Sequence, residues 1–315
     1  MTEILLVGDL HVSDTPPVNC TASYTDDIIE MLRWIADEAA RRGADAVVWS
    51  GDVFDKKAPT KNSHSLILKM LSVVKYYKEM GVELFVVPGN HDLVNDRYET
   101  LHTTQPLGVL IAAGLKELNG WHETLPLFGV PWQQDWPRDL EAAFANFQEF
   151  NFGGDALAVT HASIFPPGKE PIYEHLLAED VAAAMGGSGY LQFGHIHDDY
   201  GIWQTGGVTF ANVGAISRGS LTESHLGREV KIVSWVPEDG FEEIVVPHRP
   251  AEEVFKVVEG TKAKEDKKDT QTFLQAIGHS QIAMTSTSSI VDHIREMEAE
   301  EPVKKTAIEL IEAEA

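Results

Sequence analysis

The sequence predicts a layered α/β sandwich with a later antiparallel portion. Three observations point there. Short apolar runs alternate with amphipathic stretches from residue 3 to about 235, the rhythm of strands and helices packed in layers. Five of those runs end directly on a polar motif built from Asp, His or Asn, as strands do when their carboxyl ends share one crevice. From residue 156 onward strand-like runs outnumber helical ones.

The first run is 4–7, Ile-Leu-Leu-Val, closed by Gly8-Asp9. Residues 24–42 carry Ile28, Ile29, Leu32, Ile35 and Ala39 at helical spacing, and Gly43 is a fitting stop. A second strand at 46–50 precedes a helix over about 63–80, closed by Gly81. The strand 82–87 ends in the tight turn Pro88-Gly89. A helical stretch follows near 106–113, then short strands near 115–118 and 125–130, and a helix over about 138–147. The remaining strands are expected at 156–160, 190–193, 201–204, 208–212 and 228–235, with one or two more within 241–258. Residues 259–270 are charged, lack an apolar face and read as a linker. Helical patterns at 272–277, 289–297 and 303–311 make 271–315 a small C-terminal helical appendage suited to interaction.

At 315 residues, with 43% hydrophobic and 23% charged residues, the chain has the composition of a globular protein. No apolar stretch approaches the roughly 18 residues that span a bilayer. The N-terminus lacks a basic region, Asp9 interrupts any signal-peptide core, and the single Cys20 excludes an internal disulfide, so a cytoplasmic setting is expected. A net charge of −24 argues against a generally basic nucleic-acid-binding surface. It leaves room for a nucleic-acid enzyme whose phosphate contacts are bound cations and a few local Lys or Arg.

The motifs at the strand ends are Asp9-Leu10-His11, Gly51-Asp52, Gly89-Asn90-His91-Asp92, His161 and Gly194-His195-Ile196-His197. Imidazole, carboxylate and one amide oxygen, without thiolate, suit divalent Mn, Fe or Zn. Two such ions about 3.5–4 Å apart can hold both the attacking and leaving oxygens of a displacement at phosphorus. Asp52, in a glycine turn, is the candidate bridge; Asp9, His11 and His197 would complete one ion's shell, and Asn90, His161 and His195 the other's. His91 is the candidate proton donor to the leaving oxygen, with Asp92 orienting its ring. The eight other histidines read as ordinary polar residues.

Taken together and in this order, the five motifs resemble the calcineurin-like metallophosphoesterase superfamily over about residues 3–235. The resemblance implies a four-layer α/β/β/α sandwich with a dinuclear metal centre, a catalytic domain at 1–258, and two divalent ions, Mn²⁺ foremost with Fe, Zn or Mg as alternatives. The run from Gly51 to Thr60, with Asp52-Val53-Phe54-Asp55 ahead of Pro59, is similar to the SbcD/Mre group of DNA nucleases, as are 88–92, 194–197 and the segment from Asn212 to Arg218. Asp55-Lys56-Lys57 and Asp92 stand where the family's Ser/Thr phosphatases carry Asp-Arg-Gly and Glu. Lys57 also occupies a place that is often Gly in cyclic-nucleotide phosphodiesterases. Asp198-Asp199-Tyr200 and Val213-Gly214-Ala215 depart from the nuclease pattern of Gln and Pro-Gly-Ser.

That group implies a DNA exonuclease or endonuclease, an SbcC-like coiled-coil ATPase docking on 271–315, a homodimer, and roles in DNA repair and recombination. The compact form resembles bacteriophage-encoded members, which would place it in a host cytoplasm. The alternative reading is a phosphodiesterase of cyclic or other small nucleotides; a metal-binding scaffold is a third. Lys56 and Arg218 are the foremost substrate-binding candidates, followed by Lys57, Lys61, Arg97 and Arg228. Trp121, Trp132 and Trp136 are candidates for stacking a base.

Overall fold

The computed structural model describes residues 2–133, 135–147, 156–171, 174–219 and 228–256. The linker and appendage expected at 259–270 and 271–315 lie outside the described residues. The architecture below is that of the unit Met1–Lys169 with His175–Lys256.

Strand β1 (Ile4–Val7) leads to helix α1 (Tyr24–Arg42), then β2 (Ala46–Trp49), α2 (His64–Glu79) and β3 (Glu83–Val86). Gly43 closes α1 in the left-handed conformation at φ 72°, and the Ser63 hydroxyl caps α2 by accepting from Leu66 N at 3.1 Å. Next come α3 (Pro106–Ala112), β4 (Lys116–Glu117), β5 (Gly120–Trp121), β6 (Leu127–Val130) and α4 (Trp136–Phe144). The second half holds β7 (Leu157–His161), β8 (Ile164–Phe165), β9 (Leu176–Leu177), α5 (Ala178–Ala184) and β10 (Tyr190–Gly194). It ends with β11 (Asp199–Thr205), β12 (Val208–Val213), β13 (Val230–Val236) and β14 (Gly240–Val246).

Two six-stranded sheets result, ordered β14-β13-β1-β2-β3-β4 and β11-β12-β10-β7-β6-β5, with β8 and β9 as a separate pair. β1 to β4 run parallel, as do β12, β10, β7 and β6; the antiparallel pairings involve β13, β14, β11 and β5. The later antiparallel portion is therefore confined to the sheet edges, and β10 sits in a parallel centre.

Strand alternation assigns the layers. Leu5, Val7, Val47, Trp49, Leu84 and Val86 face α1 and α2, meeting Ile28, Leu32, Ile35, Met70, Val73 and Tyr77. Their neighbours Ile4, Leu6, Ala46, Val48 and Phe85 face the other sheet, meeting Leu157, Val159, Ala211 and Val213. On that sheet's outer side Phe128 packs against Phe144 of α4 and Phe147. The order is helices, sheet, sheet, helices. Strands buried on both faces must be apolar throughout, which is why these runs lack polar alternation. Helix α5 was not expected: its Ala-rich seven residues show too little periodicity. α4 begins two residues earlier than expected, with Pro137 in its first turn. Among the described residues no helix is long and apolar enough to cross a membrane.

Candidate metal centre

Because β1, β2, β3, β7 and β10 are parallel within their sheets, the residues that follow each strand emerge toward one crevice. The structure brings together Asp9, His11, Asp52, Asn90, His91, His161, His195 and His197. Donor atoms of Asp9, His11 and His197 lie within 4.8 Å of one another, and so do those of His11, Asp52 and His91, and of Asp52, His161 and His195. His11 and Asp52 each belong to two of these groups, so the three overlap in one continuous cluster.

The backbone bends sharply to achieve this. His11, Asp52 and His195 have φ of 42°, 48° and 86°, left-handed values that cost a non-glycine residue roughly 1–2 kcal/mol. Hydrogen bonds hold the bends. His11 N donates to Asp52 O at 2.8 Å, His195 N to the Asp9 carboxylate at 2.9 and 3.1 Å, and His91 N to Asp52 Oδ1 at 2.7 Å. Gly89 is required by close approach: a Cβ there would stand 2.5 Å from Asp52 N and 2.7 Å from His161 Cε1.

The second ring nitrogen of each histidine decides which one faces the site. His161 Nδ1 lies 2.7 Å from Ser50 O, and a carbonyl only accepts, so Nδ1 carries hydrogen and Nε2 is the nitrogen turned inward. His91 Nδ1 is held in the same way by Asp55 O at 2.6 Å, leaving Nε2 as the ring nitrogen that this carbonyl does not engage. His11 Nε2 and His197 Nε2 face each other at 2.9 Å. Asn90 Oδ1 lies 3.1 Å from His161 Nε2 and 3.2 Å from His195 Nδ1.

Burial and mutual charge perturb every one of these groups that shifts. Burial lowers His11 well below the ordinary imidazole range, with His197 adding to it, and pushes His195 down to about 3. For His161 burial acts downward too, but the Asp52 and Asp9 carboxylates outweigh it and raise the ring to about 9. Burial raises Asp9; it acts upward on Asp52 as well, where His161 overcomes it and holds the carboxyl well below its usual range. A buried cluster of imidazoles with two carboxylates, one of them shared, is a donor set for divalent cations: two facing imidazole nitrogens can share only one proton, whereas a cation satisfies both. The residues present fit two ions. Asp9, His11 and His197 would hold one, Asn90, His161 and His195 the other, with Asp52 between.

Two expectations need correction. Asp92 does not orient the His91 ring. Its carboxylate, 2% exposed, accepts from Gly89 N at 2.9 Å and Val53 N at 3.1 Å, pinning the loop, and burial followed by Asp52 raises it to about 7. The ring is oriented instead by the Asp55 carbonyl. Arg218 is not at a substrate surface: it is 1% exposed and bonds Asp27 Oδ2 and Arg249 O, both at 2.7 Å. Lys56 is exposed beside the site and pairs with Asp55 at 2.5 Å. Lys57 stands near Asn90, Lys61 is exposed, and Arg97 pairs with Glu99. Arg228 donates to His197 O at 2.8 Å and to the carbonyls of Ala215 and Ser217.

Of the tryptophans, Trp121 stacks on Phe147 and Trp136 is buried with its Nε1 donating to His161 O. Trp132, half-buried, lies 5.0 Å from the His195 ring. Sequence reasoning missed the supports that act through main chain: Ser50 O, Asp55 O, Tyr24 Oη donating to His11 O at 3.1 Å, and Asn212 Nδ2 donating to Phe193 O and Ile196 O. Backbone acceptors leave no trace in residue type. Of these, Asp55 and Asn212 lay in segments already singled out.

Residues 2–251 match the family model described as calcineurin-like phosphoesterase. The chain belongs to that family. It is a metallophosphoesterase hydrolase, and its fold implies a dinuclear divalent metal centre. Among characterised relatives, it is 31% identical over 90 residues to the DNA double-strand break repair protein Mre11 of Saccharolobus solfataricus, covering 28% of this chain and 23% of that one. The Mre11 of Archaeoglobus fulgidus is 28% identical over 91 residues, covering 29% and 20%. The matches thus span less than a quarter of those proteins' length. This weak homology supports an Mre/SbcD-like group within the family. A solved crystal structure matches with a TM-score of 0.52 at 12% identity, covering 78% of this chain and 99% of its own, a likeness of fold. A dimetal phosphatase from Danio rerio matches at TM-score 0.47 and 15% identity, covering 79% and 99%.

Proposed function

We propose that this phosphoesterase is a Mn²⁺-dependent DNA nuclease of the SbcD/Mre type. The observation that carries the reading is the convergence of Asp9, His11, Asp52, Asn90, His161, His195 and His197 on one crevice, with His91 beside them but fixed by a carbonyl. The similarity to archaeal Mre11 proteins directs it toward DNA.

The bound ions would supply a nucleophilic water at neutral pH and charge stabilisation at phosphorus. His91, with Nδ1 locked on Asp55 O, directs Nε2 to the leaving oxygen and delivers a proton there. Asp52 joins the two halves of the site and its Oδ1 also holds His91 N, so donor and ligands keep one geometry. Asp92 acts as a positioning residue through the Gly89 and Val53 amides. Lys56, exposed at the rim, contacts a phosphate of the strand without reading its sequence. By the same resemblance, residues 271–315 dock on an SbcC-like ATPase, a homodimer is the assembly, and the setting is the cytoplasm, of a host cell for a phage-encoded protein, in DNA repair or recombination.

The net charge of −24 favours a second reading, a phosphodiesterase of cyclic or small nucleotides, which needs no basic surface. One experiment separates them: the protein with Mn²⁺ is given end-labelled duplex and single-stranded DNA, and in parallel cyclic AMP. His91→Ala serves as control, expected to bind metal but lose roughly 10²–10⁴-fold in turnover. Shortened DNA that the variant leaves intact supports the nuclease. Intact DNA with hydrolysed cyclic AMP selects the second reading.

A further inference from the structure

The Lys57 side chain approaches a metal-ligand candidate that already has two competing demands on it. The Asn90 amide fits the site in either of two orientations. In one, Oδ1 faces His161 Nε2, His195 Nδ1 and the Asp52 carboxylate, and is free to bind a cation. In the other, the two hydrogens of Nδ2 face Asp52 Oδ2 at 3.3 Å, His195 Nδ1 at 3.2 Å and His161 Nε2 at 3.1 Å, while Oδ1 accepts from Lys57 Nζ at 3.1 Å. In the second orientation the Lys57 ammonium has an acceptor and the two amide hydrogens have acceptors such as Asp52 Oδ2 and His195 Nδ1, without any ion. In the first, Nδ2 would point at the ammonium, two donors face to face.

The main chain at Lys57 is anchored, since Gln105 Nε2 donates to Lys57 O at 3.0 Å, which fixes the point from which the side chain reaches Asn90. The ammonium has a second resting place: Asp96 Oδ1, buried and without a hydrogen-bond partner, lies 3.6 Å away. Lys57 is also 43% exposed, within reach of a ligand entering the crevice. Lys56 next door has neither contact and pairs with Asp55.

We propose that Lys57 competes with a divalent cation for the Asn90 oxygen, and that once Asn90 turns that oxygen inward the released ammonium binds a phosphate of the substrate. The inference rests on the metal-dependent reading above. It makes the Asn90, His161 and His195 half of the site the weaker one, and links its filling to the appearance of a free cation for phosphate.

Calorimetric titration of Mn²⁺ into the metal-free full chain tests this, with Lys57→Met, Lys57→Arg and Lys56→Met beside wild type. Removing a charge-assisted hydrogen bond and a like charge at a partly exposed site should tighten the weaker Mn²⁺ about 5–10-fold in Lys57→Met. Lys57→Arg should stay near wild type, and Lys56→Met should change it less than about twofold. At saturating Mn²⁺, Lys57→Met should raise KM for DNA several-fold. Unchanged Mn²⁺ affinity in Lys57→Met overturns the proposal, and equal tightening in Lys56→Met overturns it in favour of general charge. Wild type that binds no Mn²⁺ overturns the metal-dependent reading itself, a different result from either.

Discussion

Replacing Arg218 with Met separates a buried structural arginine from a substrate contact. The guanidinium joins Asp27 of α1 to the Arg249 carbonyl and lies 5.9 Å from the Phe255 ring, so it ties the chain after β14 to the first helix. Asp27 is 2% exposed and would keep only the donation from Arg249 N at 2.8 Å. Removing one partner of a buried pair leaves a charge without its counterion, at about 3–5 kcal/mol. At about 2–3 °C per kcal/mol for a domain of this size, thermal unfolding should fall by about 6–15 °C. The double variant Arg218→Met with Asp27→Asn should recover part of that, since the stranded charge is gone. Mn²⁺ affinity and KM should change little at temperatures where the variant is folded. Unchanged thermal stability together with a raised KM would refute the reasoning and return Arg218 to the substrate.

Asp52→Ala should abolish metal binding and hydrolysis. In the metal-free protein it should also lower the His161 pKa, because burial then acts on that ring without its main opposing carboxylate; NMR titration of the imidazole reads the shift. Glu38, half-buried, is held at about 2 by the Arg41 hydrogen bond, against burial and with help from Arg42. A depressed carboxylate stabilises the fold above its ordinary value of 4.5 and loses that contribution as pH falls toward 2. Glu38→Gln should therefore cost up to about 1 kcal/mol at pH 7, with the difference from wild type shrinking between pH 4.5 and 2; a pH-independent difference would show that the pairing is not responsible.

The sequence was most legible where residue type and strand position coincide. Every ligand candidate follows an apolar run that must be a strand, so topology alone delivers Asp9, Asp52, Asn90, His161 and His195 to one crevice. It was less legible where side chains act through main-chain atoms. The Asp92 carboxylate next to His91 invited pairing with it, but the three-residue 3₁₀ turn Asn90–Asp92 points the two side chains apart, and the carboxylate finds amides instead. Arg218 follows the segment near the last ligands, as a phosphate contact would; nothing in the local pattern shows that Asp27, 191 residues earlier, waits inside the fold. The short edge strand β5 was not read, because a two-residue strand has no periodicity, whereas β4 falls within the strand expected near 115–118.

The segment after β12 acts on the site through a clasp whose tightness depends on Gly8. Ile216 N donates to Asp9 O at 3.1 Å and Ala215 N to His197 O at 3.3 Å, so one stretch of backbone holds two ligand residues of the same half-site. A Cβ at Gly8 would sit 3.1 Å from the Gly214 carbonyl carbon and closer still to its oxygen. Gly214 cannot easily yield: its own φ is 76°, and Arg228 binds the His197 and Ala215 carbonyls on its far side. Gly8→Ala must therefore push the β1 end and the clasp apart, displacing Asp9 relative to His197. Overpacking of this kind costs about 1–3 kcal/mol in stability. A ligand displaced by a few tenths of an ångström weakens a site whose distances are met within about 0.2 Å, so Mn²⁺ affinity should fall at least tenfold. The loss should fall on the Asp9, His11 and His197 half, leaving one Mn²⁺ bound with near wild-type affinity in a titration. Two ions bound as in wild type would mean that the clasp yields without moving Asp9, and that the close approach at Gly8 serves packing alone.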